Sequence, residues 1–148
     1  MTIGSLRLGT LLAALVALSG CAASGAAFKA VDTIPEGKAL VYIYRPNSIV
    51  GGAVRYHVAV GDERIVYLIR GGYFPYLAGP GETTFWARTE AKAEITEYLK
   101  AGQVYYLKGG IGAGVALGRP RLEFVDAGEG REQVEDCVLL PAATGRAE

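Results

Sequence analysis

The segment Ala39-Leu40-Val41-Tyr42-Ile43-Tyr44-Arg45 decides the fold. Alternate side chains of a β-strand point to opposite faces, which puts Leu40, Tyr42 and Tyr44 on one face and Val41 and Ile43 on the other. A strand with one wet face alternates apolar with polar. Here both faces are apolar, the pattern of a central strand covered on both sides. This strand is expected to be the spine of a sheet.

Outward from it, runs rich in Val, Ile, Tyr, Phe and Thr recur at 55–60, 64–69, 83–88, 94–99, 104–109 and 121–126, separated by Gly-containing breakers. About seven strands at such spacing predict an all-β fold, a small antiparallel β-sandwich. Gly61-Asp62-Glu63 and Ala101-Gly102-Gln103 each supply a short connection with the Gly a hairpin wants. In 55–60, Tyr56, Val58 and Val60 form the buried face, so His57 is expected to point to solvent. Glu97 interrupts the apolar series of Ile95 and Leu99, which fits a bulge, an edge strand or a cation opposite it. Residues 129–137 lack alternation and are rich in Glu, Arg and Gln, the composition of a short surface helix. The chain then packs back over 138–140, and 141–148 is expected to be a frayed tail. The folded unit is residues 38–140.

The 148-residue chain carries 15 Lys plus Arg against 15 Asp plus Glu. Its length is that of one domain. Zero net charge provides no field for phosphate neutralisation, so nucleic acid is not an expected partner. Gly at 21 of 148 positions, about twice the usual share, suits a turn-rich β fold.

At the N-terminus Arg7 precedes an apolar run at 11–18 and then Leu18-Ser19-Gly20-Cys21. The run is far shorter than the roughly 20 residues of a membrane-crossing helix and reads as a cleaved secretion signal, residues 1–20. Leu18-Ser19-Gly20-Cys21 resembles a bacterial lipobox, which implies a diacylglyceryl group on the Cys21 thiol and an acyl chain on the new amine, with no other cofactor. Such chains exceed the two signals that stable anchoring takes. By similarity to other bacterial lipoproteins, Ala22 after the cysteine points to the periplasmic side of the outer membrane rather than to the inner membrane. Residues 21–37 are expected to be a flexible tether of about 16 residues reaching roughly 20–25 Å. The fold would then work above the headgroups without inserting.

Three local patterns stand in order behind the lipobox: Val41-Tyr42-Ile43-Tyr44-Arg45-Pro46, then Gly72-Tyr73-Phe74 leading to Gly79-Pro80-Gly81, then Ala101-Gly102-Gln103-Val104-Tyr105-Tyr106. In this order they resemble a family of short bacterial lipoproteins known as domain of unknown function 2846, over about residues 38–134. The Gly-aromatic-Pro-Gly pattern is also similar to PEGA-type and transthyretin-like modules, which are small β-sandwiches. The resemblance implies that fold and brings no catalytic residue.

No reaction is legible. Ser24 and Ser48 lie in no nucleophile elbow, and a Cys137–His57 pair has no third, orienting residue. One His and one spare Cys cannot make a zinc site, so no metal is expected. Cys137 reads as a small apolar residue under the C-terminal segment, or as a thiol free to pair with another chain. The Gly-rich stretch 109–118 is followed by Arg119-Pro120 and a strand rather than a helix, against a dinucleotide loop. It reads as a flexible loop, a strand closely approached by another backbone, or an apolar loop touching lipid or a partner. Tyr73, Phe74 and Tyr76 fall in a Gly- and Pro-punctuated stretch taken as a loop, and with Trp86 they form the expected partner or ligand contact. Arg45 is a candidate for an anionic group or for an internal carboxylate. The function these residues lead us to expect is a non-catalytic, lipid-anchored envelope module that contacts another envelope protein. The alternative is a small-ligand or glycan binder on the aromatic loop. Nothing in the sequence sets the oligomeric state.

Overall fold

Strand β1 spans Ala39–Arg45, and every one of its residues is buried. The computed structural model describes residues 22–147; the expected secretion signal 1–20, the expected lipidation site Cys21 and Glu148 lie outside the described residues. After β1 follow β2 (Tyr56–Val60), β3 (Glu63–Leu68), β4 (Gly72–Ala78), β5 (Gly81–Arg88), β6 (Lys92–Leu99), β7 (Val104–Gly112), β8 (Arg119–Val125), helix α1 (Ala127–Glu135) and β9 (Val138–Leu139). They form a sandwich of two sheets in the orders β8-β7-β1-β4-β9 and β3-β2-β5-β6.

The sandwich is as expected, with nine strands among the described residues rather than about seven. The sheet containing β1 is mixed: β1 pairs antiparallel with β4 but parallel with β7, and β4 pairs parallel with β9. The long excursion from β1 to β7 passes through the other sheet, which gives the chain the length that a parallel return needs. The Gly61 hairpin forms between β2 and β3, with Gly61 at φ +55°. The expected Gly102 hairpin does not: β6 and β7 belong to different sheets, and the turn with Gly102 at φ +79° carries the chain across the sandwich. The Glu97 alternatives resolve to an edge strand, since β6 ends the second sheet.

Each face of β1 has its own cover. Val41 and Ile43 meet Val58, Val66, Leu68 and Phe85 of the second sheet. Leu40, Tyr42 and Tyr44 lie with Tyr73 and Tyr106 under Val134 and Cys137 of the C-terminal region and under Phe28, Val31 and Ile34. Fully burying one such large apolar side chain is worth roughly 1.5–3 kcal/mol. Helix α1 starts at Asp126, whose side chain accepts from the amides of Gly128 and Glu129.

Two segments expected to be loose are held. Residues 23–34, taken as a tether, run as a strap along the outer face of β1. The Ala23 amide donates to the Arg70 carbonyl at 3.0 Å, Lys29 to the Tyr73 hydroxyl at 3.1 Å and Val31 to the Tyr42 hydroxyl at 2.8 Å. The Phe28 ring packs edge-on against Tyr42 and Tyr73. The tail beyond Pro141 does not fray either: it bridges to Val66 and Glu63 and satisfies the open edge of β3.

Gly130 faces the outer cluster. A Cβ there would lie against Tyr106 Cγ and Cβ, with Cδ1 at 2.7 Å, because the helix and β7 approach through the missing side chain. In an exposed helix Gly→Ala stabilises by about 0.5–1 kcal/mol. Gly130→Ala is expected to do the reverse, lowering stability by about 1–3 kcal/mol through overpacking, as measured by urea unfolding. A rise in stability would mean that α1 packs less closely than described.

Candidate functional site

Arg45 ends β1 and, at 2% exposure, is the buried charged residue among those described. Such a guanidinium needs partners, and it finds them in a loop rather than in a carboxylate. Nη1 donates to the Val54 carbonyl and Nη2 to the Gly51 carbonyl, both at 2.6 Å, while Cζ lies 5.8 Å from the centre of the Tyr56 ring. Burial lowers its pKa from the ordinary value. The internal carboxylate expected for Arg45 is replaced by these two carbonyls: Arg45 is the clasp that shapes loop 46–55.

Beside it opens a cleft of about 330 Å³ bordered by Pro46, Val50, Ile111, Lys108, Arg121 and Gln133. Lys108 bonds Glu129 at 2.7 Å and lies 3.7 Å from Glu123, and the Glu129 bond raises its pKa. Gln133 accepts from the Tyr44 hydroxyl at 2.8 Å. Ser48 Oγ accepts from the Val50 amide at 3.2 Å. No aromatic ring borders the cleft, so a stacked sugar has no platform there.

The expected contact residues do not come together. Residues 73–76 are not a loop but part of β4, beside β1. Pro75 is tolerated there because β9 covers only Gly72 and Tyr73, leaving the rest of β4 an edge. Tyr73 is buried under the strap, and Phe74 and Tyr76 turn inward, Tyr76 meeting Phe85 edge-on at 6.0 Å. Trp86 alternates with the buried Phe85 and lies on the outer face of the other sheet. Its Nε1 donates to the Gly61 carbonyl at 2.8 Å and Lys92 lies 5.2 Å over its ring. The aromatic-loop site loses its premise.

Nor do His57 and Cys137 meet. His57 is on the outer face of the second sheet, its ring tilted against that of Tyr67 with centres 4.5 Å apart, and burial and then Arg64 lower its pKa. Cys137 is a free, buried thiol on the outer face of the first sheet, with the sandwich core between the two. Among the described residues no group of His, Cys, Asp and Glu could hold a metal ion, and no helix is long and apolar enough to cross a membrane.

What sequence reasoning missed is a second clasp. Glu90 accepts from the amides of Val115, Ala116 and Leu117 at 2.7, 2.8 and 3.0 Å, bonds that hold its carboxyl below the usual carboxylate range. No local pattern announces a contact between residues so far apart in the chain.

The profile of the family described as "Protein of unknown function (DUF2846)" matches residues 35–118. The chain belongs to this family. The DUF2846 region runs from just before β1 to the end of the loop after β7, so it contains Arg45, Glu90 and the loops they hold. The strap, β8, α1 and β9 lie outside it. No curated protein and no solved structure matches the chain.

Burial pushes the Cys137 thiol up from 9.0 to about 12. The fold therefore favours the protonated thiol, and this contribution is whole below pH 9 and is lost as pH rises towards 12. Tyr56, also raised to about 12 by burial, acts in the same direction in any Cys137 variant. Cys137→Ala is expected to lose less stability than the parent between neutral pH and alkaline pH in denaturant titrations. Equal alkaline losses would show that the thiol titrates normally.

Proposed function

We propose that this member of the DUF2846 family is a non-catalytic protein held to the periplasmic face of the outer membrane by acyl chains on Cys21, and that it serves as an interaction or structural module of the envelope. The observation that carries the reading is the junction of sequence and fold. A lipobox-like Leu18-Ser19-Gly20-Cys21 is followed at once by Ala22 and Ala23, and the Ala23 amide is already bonded to the domain. An acylated Cys21 would therefore tie the sandwich itself to the bilayer. The resemblance to PEGA-type and transthyretin-like modules fits the same role. The separation of His57 from Cys137, together with the raised thiol, supports a chain without nucleophilic chemistry.

In a bacterial host fed an alkyne-bearing fatty acid, the parent chain is expected to take up the label and to fractionate with outer membranes. Cys21→Ala should stay an unlabelled precursor. Ala22→Asp should keep the label and move to the inner membrane. A processed, membrane-retained Cys21→Ala protein would contradict the anchor.

A further inference from the structure

The geometry points to a second membrane contact: the end of the sandwich that carries loops 46–55 and 113–118 seats directly in the lipid surface. This rests on the reading of Cys21 as lipidated and changes what that anchor does, from suspending the domain to pressing one end of it into the bilayer.

The two loops are neighbours. β7 runs parallel to β1, with Lys108 opposite Tyr44, so both strands deliver their loops at the same end. Gly51 and Gly118 both close on the side chain of Ile111. On these loops stand the three most exposed large apolar side chains among the described residues, Val115 at 95%, Ile49 at 91% and Val50 at 71%, joined by Leu117 at 58%. Such a concentration in one place on a small domain marks a contact surface.

The loops are also built for a medium poor in water. An unpaired backbone group is costly there. Arg45 takes up the carbonyls of Gly51 and Val54, and Glu90 takes up the amides of Val115, Ala116 and Leu117. Within the first loop, Gly52 donates to the Ile49 carbonyl and Val54 to that of Gly51. Exposed Arg55 and Arg119 stand where these loops enter β2 and β8, placed to meet anionic headgroups.

The place where the described chain starts selects a bilayer over a protein partner. Ala23 is bonded to Arg70, and Gly71 beside it donates to the Arg45 carbonyl, so the chain emerges at the same end as the two loops. Two residues span at most about 7 Å, the whole distance between the α-carbons of Cys21 and Ala23. With acyl chains in the hydrocarbon, that end cannot stand clear of the headgroups.

The test uses the full lipidated chain in vesicles of phosphatidylethanolamine and phosphatidylglycerol. An environment-sensitive fluorophore is placed on Val115→Cys or, as a control at the opposite end beside Lys38, on Gln103→Cys. Cys137 is buried and stays unlabelled, and mass spectrometry reports acylation of Cys21 separately. The Val115 probe is expected to shift to the blue and to lose intensity when the lipids carry brominated acyl chains, while the Gln103 probe keeps its emission in water. An acylated, vesicle-bound protein whose Val115 probe stays in water would overturn the contact and leave the anchor intact. A blue shift without quenching by bromolipids would assign the loops to self-association and overturn it as well. A chain without acyl groups that does not float with vesicles would remove the anchor reading and this inference with it.

Discussion

Strand β1 has apolar side chains on both faces, and the rest of the molecule is arranged to keep water off both. One sheet can cover only one side. The second sheet covers Val41 and Ile43, and the chain must find another cover for Leu40, Tyr42 and Tyr44. It does so with α1 from the C-terminal side and the strap from the N-terminal side. The tyrosines make this cover specific, because each buried hydroxyl needs a partner. Tyr42 and Tyr73 take amides of the strap, and Tyr44 donates to Gln133 of α1. Among the described residues no buried side-chain polar atom is left without a partner.

A consequence of the strap is a direction for the whole domain. It runs against β1, from Ala23 beside Arg70 to the turn before Ala39, so the chain's exit shares one end with the loops held by Arg45 and Glu90. The two clasps are chemical opposites, a cation collecting carbonyls and an anion collecting amides. Each uses one long polar side chain to fix a loop whose apolar side chains point outward. This cost in buried or committed charge is hard to explain by the sandwich core alone.

The sequence made the fold legible where a rule is local. β1 has identical limits in expectation and structure, the hairpin at Gly61 follows from turn chemistry, and a short helix forms where alternation stops, at Ala127–Glu135 rather than 129–137. The misses share a cause: they depend on partners far along the chain. Gly72 and Pro75 make β4 read as a loop, although pairing with β1 on one side and an open edge on the other accommodate both. The strap is small and polar enough to read as a tether, and only Phe28, Val31 and Ile34 betray an apolar face. For the site, the apolar character of 109–118 and the strand-end position of Arg45 are legible in the sequence, but the carbonyl partners of Arg45 and the Glu90 contact are not. Tyr73, Phe74 and Tyr76 build the core because an aromatic side chain serves a strand as well as a surface, while Trp86 stays on an outer face.

Residues 23–34 belong to the fold, and native-state hydrogen exchange at the amides of Lys29 and Val31 measures whether they do. Both donate to tyrosine hydroxyls across the outer face of β1, so they are expected to exchange far more slowly than an unstructured chain and to lose that protection in Tyr73→Phe and Tyr42→Phe respectively. Exchange of both amides at unstructured rates in the parent protein would make the segment a tether after all.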